Sequence, residues 1–585
     1  SRLKCIMASE EHSPSPFFPR AASKSSPEKP PHADFPESGE MSRQQSGQSS
    51  ESTNCSPEQA PPKAVRSRNR FRTYQLLTND RAEPESPNTR SKKLLNRFKS
   101  SPFLLGAAAQ VETRLGTVHL TSRCHSLPKQ VSDDYTLSGE VLAASNGKVQ
   151  LATSNLNPKE TFVVKEFDLK HMSASAQYHL KGELSVFLCM DHPHVARLVD
   201  VYECPEQLNL VMEHISGGEL FDRAHHVKSF SDFDAADAIR QILSAVNYIH
   251  SHGMVHRDLK LENILYDSKD GQHLKLIDFG FSKFCNPLSR MHTSCGTVHF
   301  VAPEVVDSSF PMYTSKCDVW SVGVITYVLL SGDTPFTARN DGELRKNIIA
   351  GKVAVSGKAW KNVSSAAKDF VKSLLQVDPQ KRLSTEAALR HKWIQANYNE
   401  TIGAMPFGKS SHIFDALCSW RTAPKIQRTC LSVMAWSLSN EQQSKVRDYF
   451  LALDQDLDGV ITLEEFRNAI VNVCKEDDDT MIDQFEAVDS NHDGQITYSD
   501  FLASMIGVNV DLTHELLQTA FRKFDAKKEG CITGESFRDI MGHEYDGECA
   551  ESIMSTNPDG RISYTEFADY VTTARLKRVR HKDPS

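Results

Sequence analysis

At 585 residues the chain has room for three or four domains of ordinary size, which excludes a single core as the whole architecture. Hydrophobic residues make up 39% and charged residues 24%, a normal soluble balance, and a formal net charge of -8 argues against nucleic-acid binding as the main role. The 13 cysteines run from Cys5 to Cys549 without a CxxC pair, which argues against a disulfide framework or a structural zinc site and leads us to expect a cytoplasmic protein. The longest apolar run, Val322 to Leu330, is too short to cross a bilayer and reads as a buried helix. No charged-then-apolar signal pattern opens the chain, and Ser1 in place of Met-Gly leaves N-myristoylation unreadable.

Residues 1–130 are rich in Ser, Pro, Gln, Glu and Lys with little apolar periodicity, so we expect a disordered extension: such a composition cannot offset the entropy of ordering. Within it, positive charge gathers at Arg66, Arg68, Arg70, Arg72, Lys92, Lys93, Arg97 and Lys99, with Leu94, Leu95, Phe98, Phe103, Leu104 and Leu105 near the end. The segment suits an anionic membrane surface, against the plainer reading of a solvated basic tail, which charge runs usually are.

Residues 131–394 change to short β-type runs followed by long amphipathic stretches. Here His256-Arg257-Asp258-Leu259-Lys260-Leu261-Glu262-Asn263 precedes Asp278-Phe279-Gly280, which follows a β-like run, and Ala302-Pro303-Glu304 comes after both. Phosphoryl transfer asks little covalent help of a protein. It needs phosphates, metal and nucleophile held in line and charge stabilised as it moves, so positioned carboxylates, an amide and lysines are the residue types to look for. In this order and spacing the three motifs resemble the eukaryotic protein kinase family.

That resemblance implies a bilobal α+β fold that uses MgATP. It implies that Asp258 orients and deprotonates the substrate hydroxyl, that Asn263 and Asp278 hold magnesium, and that Lys260 neutralises the γ-phosphate. It further implies that Lys165, in Phe162-Val163-Val164-Lys165, reaches the α- and β-phosphates with Glu183 as its partner, although Gly182 beside it weakens that helix by about 1 kcal/mol. The same resemblance puts Met212 at the back of the adenine pocket and has Glu213 to Ile215 offer backbone hydrogen bonds to adenine. Glu219, counted among the nucleotide-site residues, favours in related kinases a basic residue upstream of the target hydroxyl. Lys260 and Cys295-Gly296-Thr297 resemble the serine/threonine branch, while Asp318, Arg382 and Glu304 read as structural anchors.

The hairpin over the phosphates departs from the family pattern. Matching Gly147-Lys148-Val149 to its end puts Leu142 and Ala144 where two glycines normally let the backbone approach phosphate. A pseudokinase acting as a calcium-responsive scaffold is therefore the rival reading, and a kinase that is always on, with its sensor used for localisation, is a second.

After a regulatory junction at 395–440, residues 441–572 repeat helix, acidic loop and helix at a period of about 35, and a basic tail, 573–585, follows. Calcium wants six to eight oxygens, which a 12-residue loop supplies from positions 1, 3, 5, 7, 9 and 12, with Gly at 6. The first loop matches fully with Asp454, Asp456, Asp458, the carbonyl of Val460, and Glu465. The second has Asp489, Asn491, Asp493, the carbonyl of Gln495, and a shorter Asp500 at its end. In the third, Asp525 to Ser536, Lys527 takes a ligand position, so we expect a structural partner only. The fourth keeps Asn557, Asp559, the carbonyl of Arg561, and Glu566, but starts at Ser555.

Kinase, junction and four EF-hands in one chain resemble the calcium-dependent protein kinases of plants, ciliates and apicomplexan parasites, over about residues 130 to 572. The resemblance implies a junction that blocks the substrate cleft until calcium moves it. Ile426, Cys430, Leu431, Met434 and Leu438 share one helical face there, with Arg421, Lys425 and Arg428 adding charge, so the helix could dock on the kinase or in an opened EF-hand groove. We expect protein substrates with Ser or Thr acceptors, no specific nucleic acid, and a monomer.

Overall fold

The computed structural model describes residues 122–143, 147–227, 229–278, 283–284, 298–307, 314–402, 411–471, 478–525, 527–541, 544–545, 548–549, 554 and 559–579. All of these fall within one compact unit. The basic stretch at 63–99, Ala144, Asn557 and the side chain of Leu142 lie outside the described residues.

The first lobe is built on a six-stranded sheet in the order β1-β5-β6-β4-β3-β2. Its strands are β1 (Cys124–Ser126), β2 (Tyr135–Ala143), β3 (Lys148–Ser154), β4 (Thr161–Asp168), β5 (Leu198–Glu203) and β6 (Gln207–Glu213). Register sets Lys165 between Val149 of β3 and Leu210 of β6, and Val163 opposite Met212, so one sheet carries both the lysine and the hinge strand. The helix Ala174–Leu188 starts on Ser173, whose hydroxyl accepts from Ala176 N, and buries Leu180, Leu184 and Leu188 while holding Glu183 near β4. One expectation is corrected. The extension does not run to residue 130, because Cys124–Ser126 adds a parallel strand beside β5, with Cys124 opposite Val201 and His125 opposite Tyr202. Polar composition hid a segment whose Arg123 and His125 are bonded inside the protein.

The second lobe is helical. Asp232–Ser251 is capped by Ser231 and buries one side from Ala235 to Ile249. Lys316–Ser331 is buried from Cys317 to Leu330, as an all-round apolar helix must be, and ends at Gly332 with φ 76, where a side chain would be strained. Trp320, Val322, Ile325 and Leu329 are fully buried there, so an Ile or Leu to Ala change would cost about 2–5 kcal/mol. No helix among the described residues is long and apolar enough to cross a membrane.

The C-terminal part is all-α with short ladders joining paired hands. Ile461–Thr462 pairs with Gln495–Ile496, and Cys531–Thr533 pairs with Arg561–Ser563. Their helices share a core that includes Phe466, Phe501, Phe537 and Phe567, the phenylalanines that follow each loop. The junction helix Lys425–Ala435 lies in this same core through Cys430, Leu431 and Met434, followed by Leu438. The side chain of Ile426 lies outside the described residues. Two boundaries move: the helix Lys392–Ile402 crosses the expected start of the junction, and Tyr564–Val579 continues past residue 572.

Candidate active site and calcium loops

The catalytic segment is held in shape by Asp318, which accepts from the backbone N–H groups of His256 at 2.9 Å and Arg257 at 2.8 Å and contacts His250 Nε2 at 2.9 Å. Burial pushes its carboxyl up, but these bonds and the histidines outweigh that and leave it below the usual range. Arg257 at φ 72 and Asp278 at φ 61 are in the left-handed region, where non-glycine residues store strain that surrounding bonds must hold. Arg382 meets Glu304 through two bonds of 2.7 and 2.9 Å, both side chains buried. These three are the anchors the sequence suggests.

Around them the reactive residues converge. Lys260 Nζ lies 2.9 Å from Asp258 Oδ2, and Asn263 Nδ2 donates to Asp258 O at 2.8 Å. Lys165 Nζ is 3.4 Å from Glu183 Oε1 and 3.9 Å from Asp278 Oδ1, which ties strand, helix and the second motif together. Burial pulls the Lys165 ammonium down, yet Glu183 and Asp278 more than compensate, so it stays charged. Asn263 Oδ1 is buried without a hydrogen-bond partner. It and the carboxylate of Asp278 are hard oxygen donors of the kind magnesium takes, and a cation would satisfy the orphaned acceptor.

The nucleotide side follows from the sheet. Val149 is buried, Met212 is half-buried and Ile215 packs with Ala196 and Leu265 beside Ile277. Glu213 N donates to Arg197 O at 3.1 Å, and its side chain accepts from Lys275 at 2.7 Å and from Arg197 N at 2.8 Å, so the hinge residue is gripped on its side-chain end. Gly147 has φ 111, and a Cβ there would lie 2.9 Å from Glu166 O, so this hairpin position needs glycine. Glu219 is pushed up to about 7, first by burial and then by Asp222 and Glu262, a cluster of acids that a basic group would relieve.

Asp454, Asp456 and Asp458 bring carboxylate oxygens within 4.8 Å of one another, the only such trio of potential metal ligands among the described residues. Burial and mutual repulsion push Asp454 well above the ordinary range and Asp458 up to about 7. A divalent cation removes that penalty, so the set fits calcium. Glu465, at the loop's end, accepts from Gln455 N at 2.9 Å and Thr462 Oγ1 at 2.7 Å. The second loop has the same plan: Asp489 accepts from Asp493 N and Gly494 N, and Asp493 is pushed up to about 6 by burial and Asp489. Its Asp500 is bonded to Ser490 Oγ at 2.8 Å and Thr497 Oγ1 at 2.7 Å. Asp559 and Glu566 of the fourth loop are exposed, and Glu566 accepts from Ser563 N. In the third loop Lys527 pairs with Glu535 at 2.7 Å.

A further set of residues went unnoticed in the sequence because their meaning depends on two domains touching. The Trp436 ring, just past the junction helix, is met by the guanidinium groups of Arg123 and Arg197, whose carbons lie 3.8 and 4.4 Å from its centroid. Arg197 Nη2 donates to Ala435 O at 3.0 Å. Lys275, the residue that grips Glu213, also reaches Asn440 Oδ1 at 2.9 Å, and Arg447 pairs with Asp267 at 2.9 Å. The first calcium loop is itself part of this seam: Asn247 Nδ2 donates to Leu457 O at 3.3 Å, and a Cβ on Gly459 would come 2.5 Å from His192 and Tyr248. Only Met434 and Leu438, the apolar residues beside Trp436, were there to be read.

Comparison with known proteins agrees with this geometry. The protein kinase domain family matches residues 140–394, an EF-hand domain pair matches 478–542 and an EF hand matches 446–471. The chain is 32% identical over 408 residues to calcium-dependent protein kinase 5 of Plasmodium falciparum, spanning 67% of this chain and 70% of that one. It is 33% identical over 459 residues to calcium-dependent protein kinase 14 of Arabidopsis thaliana, spanning 76% and 84%. To calcium-dependent protein kinase 7 of Oryza sativa it is 35% identical over 418 residues, spanning 70% and 74%.

Proposed function

As a member of the calcium-dependent protein kinase family, the chain is a calcium-regulated serine/threonine protein kinase, and we propose that calcium acts by docking the EF-hand sensor against the kinase while the junction helix is withdrawn into the sensor. The observation that carries this reading is the burial of Cys430, Leu431 and Met434 among the EF-hand phenylalanines, in a protein whose Lys165, Glu183 and Asp278 are assembled for catalysis. No finding supports the pseudokinase reading.

In the reaction, Asp258 orients the Ser or Thr hydroxyl and takes its proton, and Lys260 beside it meets negative charge on the transferred phosphoryl group. Lys165, kept charged and in place by Glu183, holds the α- and β-phosphates. Asn263 and Asp278 would hold magnesium, which would supply positive charge against the charge developing on the transferred group. Glu219 and Glu262 offer negative charge to a basic residue upstream of the acceptor. Nothing in this set asks the Leu142 and Ala144 hairpin for charge.

In the calcium-free state the same apolar helix, with Arg421, Lys425 and Arg428, leaves the sensor and occupies the kinase cleft. Differential binding of that helix by the two sensor states is what any such switch requires. We further place the protein in the cytoplasm as a monomer acting on protein substrates, with the basic N-terminal stretch touching anionic membrane and no specific nucleic acid bound. The scattered cysteines and the net charge of -8 support this placement.

Truncation tests the switch. A chain ending after Pro406 loses inhibitor and sensor and should phosphorylate peptide equally with and without calcium, whereas one ending after Leu438 keeps the inhibitor and should stay off. Equal activity of the two would show that the junction is not the inhibitor.

A further inference from the structure

The third EF-hand keeps the shape of a calcium loop while holding a lysine where a ligand belongs. Asp525 closes it from position 1, accepting from Glu529 N at 2.7 Å and Gly530 N at 2.8 Å, as Asp454 does from Asp458 N at 3.1 Å and Gly459 N at 3.0 Å in the first hand. Lys527 then pairs with Glu535 across the loop at 2.7 Å, so the fold carries its own cation.

The lysines on either side of that position face the kinase. Lys523 ends the helix His514–Phe524 and is buried, with Nζ 2.9 Å from Asp200 Oδ1 and 3.4 Å from Ser122 O. Lys528, at φ 59, places Nζ 3.0 Å from Asp133 Oδ1. Asp200 is the centre of this arrangement: its carboxylate also takes His125 Nε2 at 2.9 Å and the hydroxyl of Tyr135. Burial, aided by Lys129, keeps the His125 imidazole neutral, down to about 4, so the one full positive charge bonded to Asp200 comes from the sensor. Removing one partner of such a buried pair leaves an uncompensated charge in the interior, which is far costlier than losing a surface pair.

We propose that the third hand is a calcium-independent clamp, docking on the N-lobe through Lys523 with Asp200 and Lys528 with Asp133, and thereby setting how much calcium the first two hands need to assemble the active form. The proposal rests on the docking reading above. Neither lysine contact uses a calcium ligand, while the first hand meets Asn247 through Leu457 O, inside an ion-binding loop. Contacts that need no ion add to those that do, so a weaker clamp must be offset by more calcium.

The test is calcium-titrated phosphorylation of a basic peptide by the full chain, comparing wild type with Lys523→Met, Lys528→Ala and the swapped pair Asp133→Lys with Lys528→Asp. Lys523→Met should raise the calcium midpoint about tenfold, within the range of ordinary allosteric couplings, with the rate at saturating calcium within about twofold. Lys528→Ala, an exposed pair, should raise it roughly twofold, and the swap should restore it. Midpoints equal to wild type for both single variants overturn the clamp, since the exposed Lys528 site does not depend on the buried one for folding. A wild-type chain with no calcium response overturns the docking reading itself, and the clamp with it.

Discussion

Ser499 gives both its backbone N–H and its hydroxyl to the carboxylate of Asp191, at 2.8 and 2.9 Å, and so fastens the second calcium hand to the kinase just before His192. Both residues are buried. Asp191→Ala would strand the Ser499 donors away from water, a cost of about 1–3 kcal/mol confined to the docked state. The variant should need more calcium for half-maximal activity, roughly fivefold to a hundredfold. Its catalytic residues are untouched, so the rate at saturating calcium should stay close to wild type, as peptide phosphorylation across a calcium series would show.

The active-site assignment predicts that Asp258→Ala and Asp278→Ala each lower kcat by at least about a thousandfold, since one removes the group that orients the hydroxyl and the other a metal carboxylate. Neither residue fills an apolar core, so melting should shift by only a few degrees. Steady-state kinetics with thermal melting separates this from a folding defect. Near-normal turnover in either variant would contradict the assignment.

Glu219 predicts a pH dependence. A carboxyl raised to about 7 is largely neutral at pH 6 and charged at pH 8, and only the charged form attracts a basic substrate residue. The KM for a peptide with arginine upstream of its serine should therefore fall as pH rises through 7, by up to about tenfold, while a peptide without it changes little. Glu219→Gln should flatten the difference. The comparison needs only initial rates on two peptides at several pH values.

Much of this site was legible because its residues are fixed by chemistry and lie close along the chain. Asp258, Lys260 and Asn263 span one short segment, and they meet within hydrogen-bond distance. The pairing of Lys165 with Glu183 was expected only through the resemblance to protein kinases, and the strand Thr161–Asp168 and helix Ala174–Leu188 bring the two to 3.4 Å. The first two calcium loops were legible position by position, and the lysine at position 3 of the third loop, which pairs with Glu535, was visible in the sequence too. What could not be read was the seam. Arg123 and Trp436 are separated by the entire kinase region, and neither carries a motif. Likewise, Ser122 to Gln130 looked like more of a polar extension, because a short parallel strand held by Arg123 and His125 has no hydrophobic period to announce it. The junction helix was seen as amphipathic, but an apolar face does not say which groove will cover it.

The central claim is that calcium in the EF-hands switches the kinase on, and the most direct measurement is peptide phosphorylation by the full chain with MgATP across a calcium series, for wild type and Glu465→Gln together. Glu465 closes the first loop, and at that position a carboxylate supplies two of the ion's oxygens. The account predicts little activity in chelator, full activity in calcium, and a Glu465→Gln curve displaced to at least about tenfold higher calcium with a similar maximum. Equal rates in chelator and in saturating calcium for the wild-type chain would contradict it.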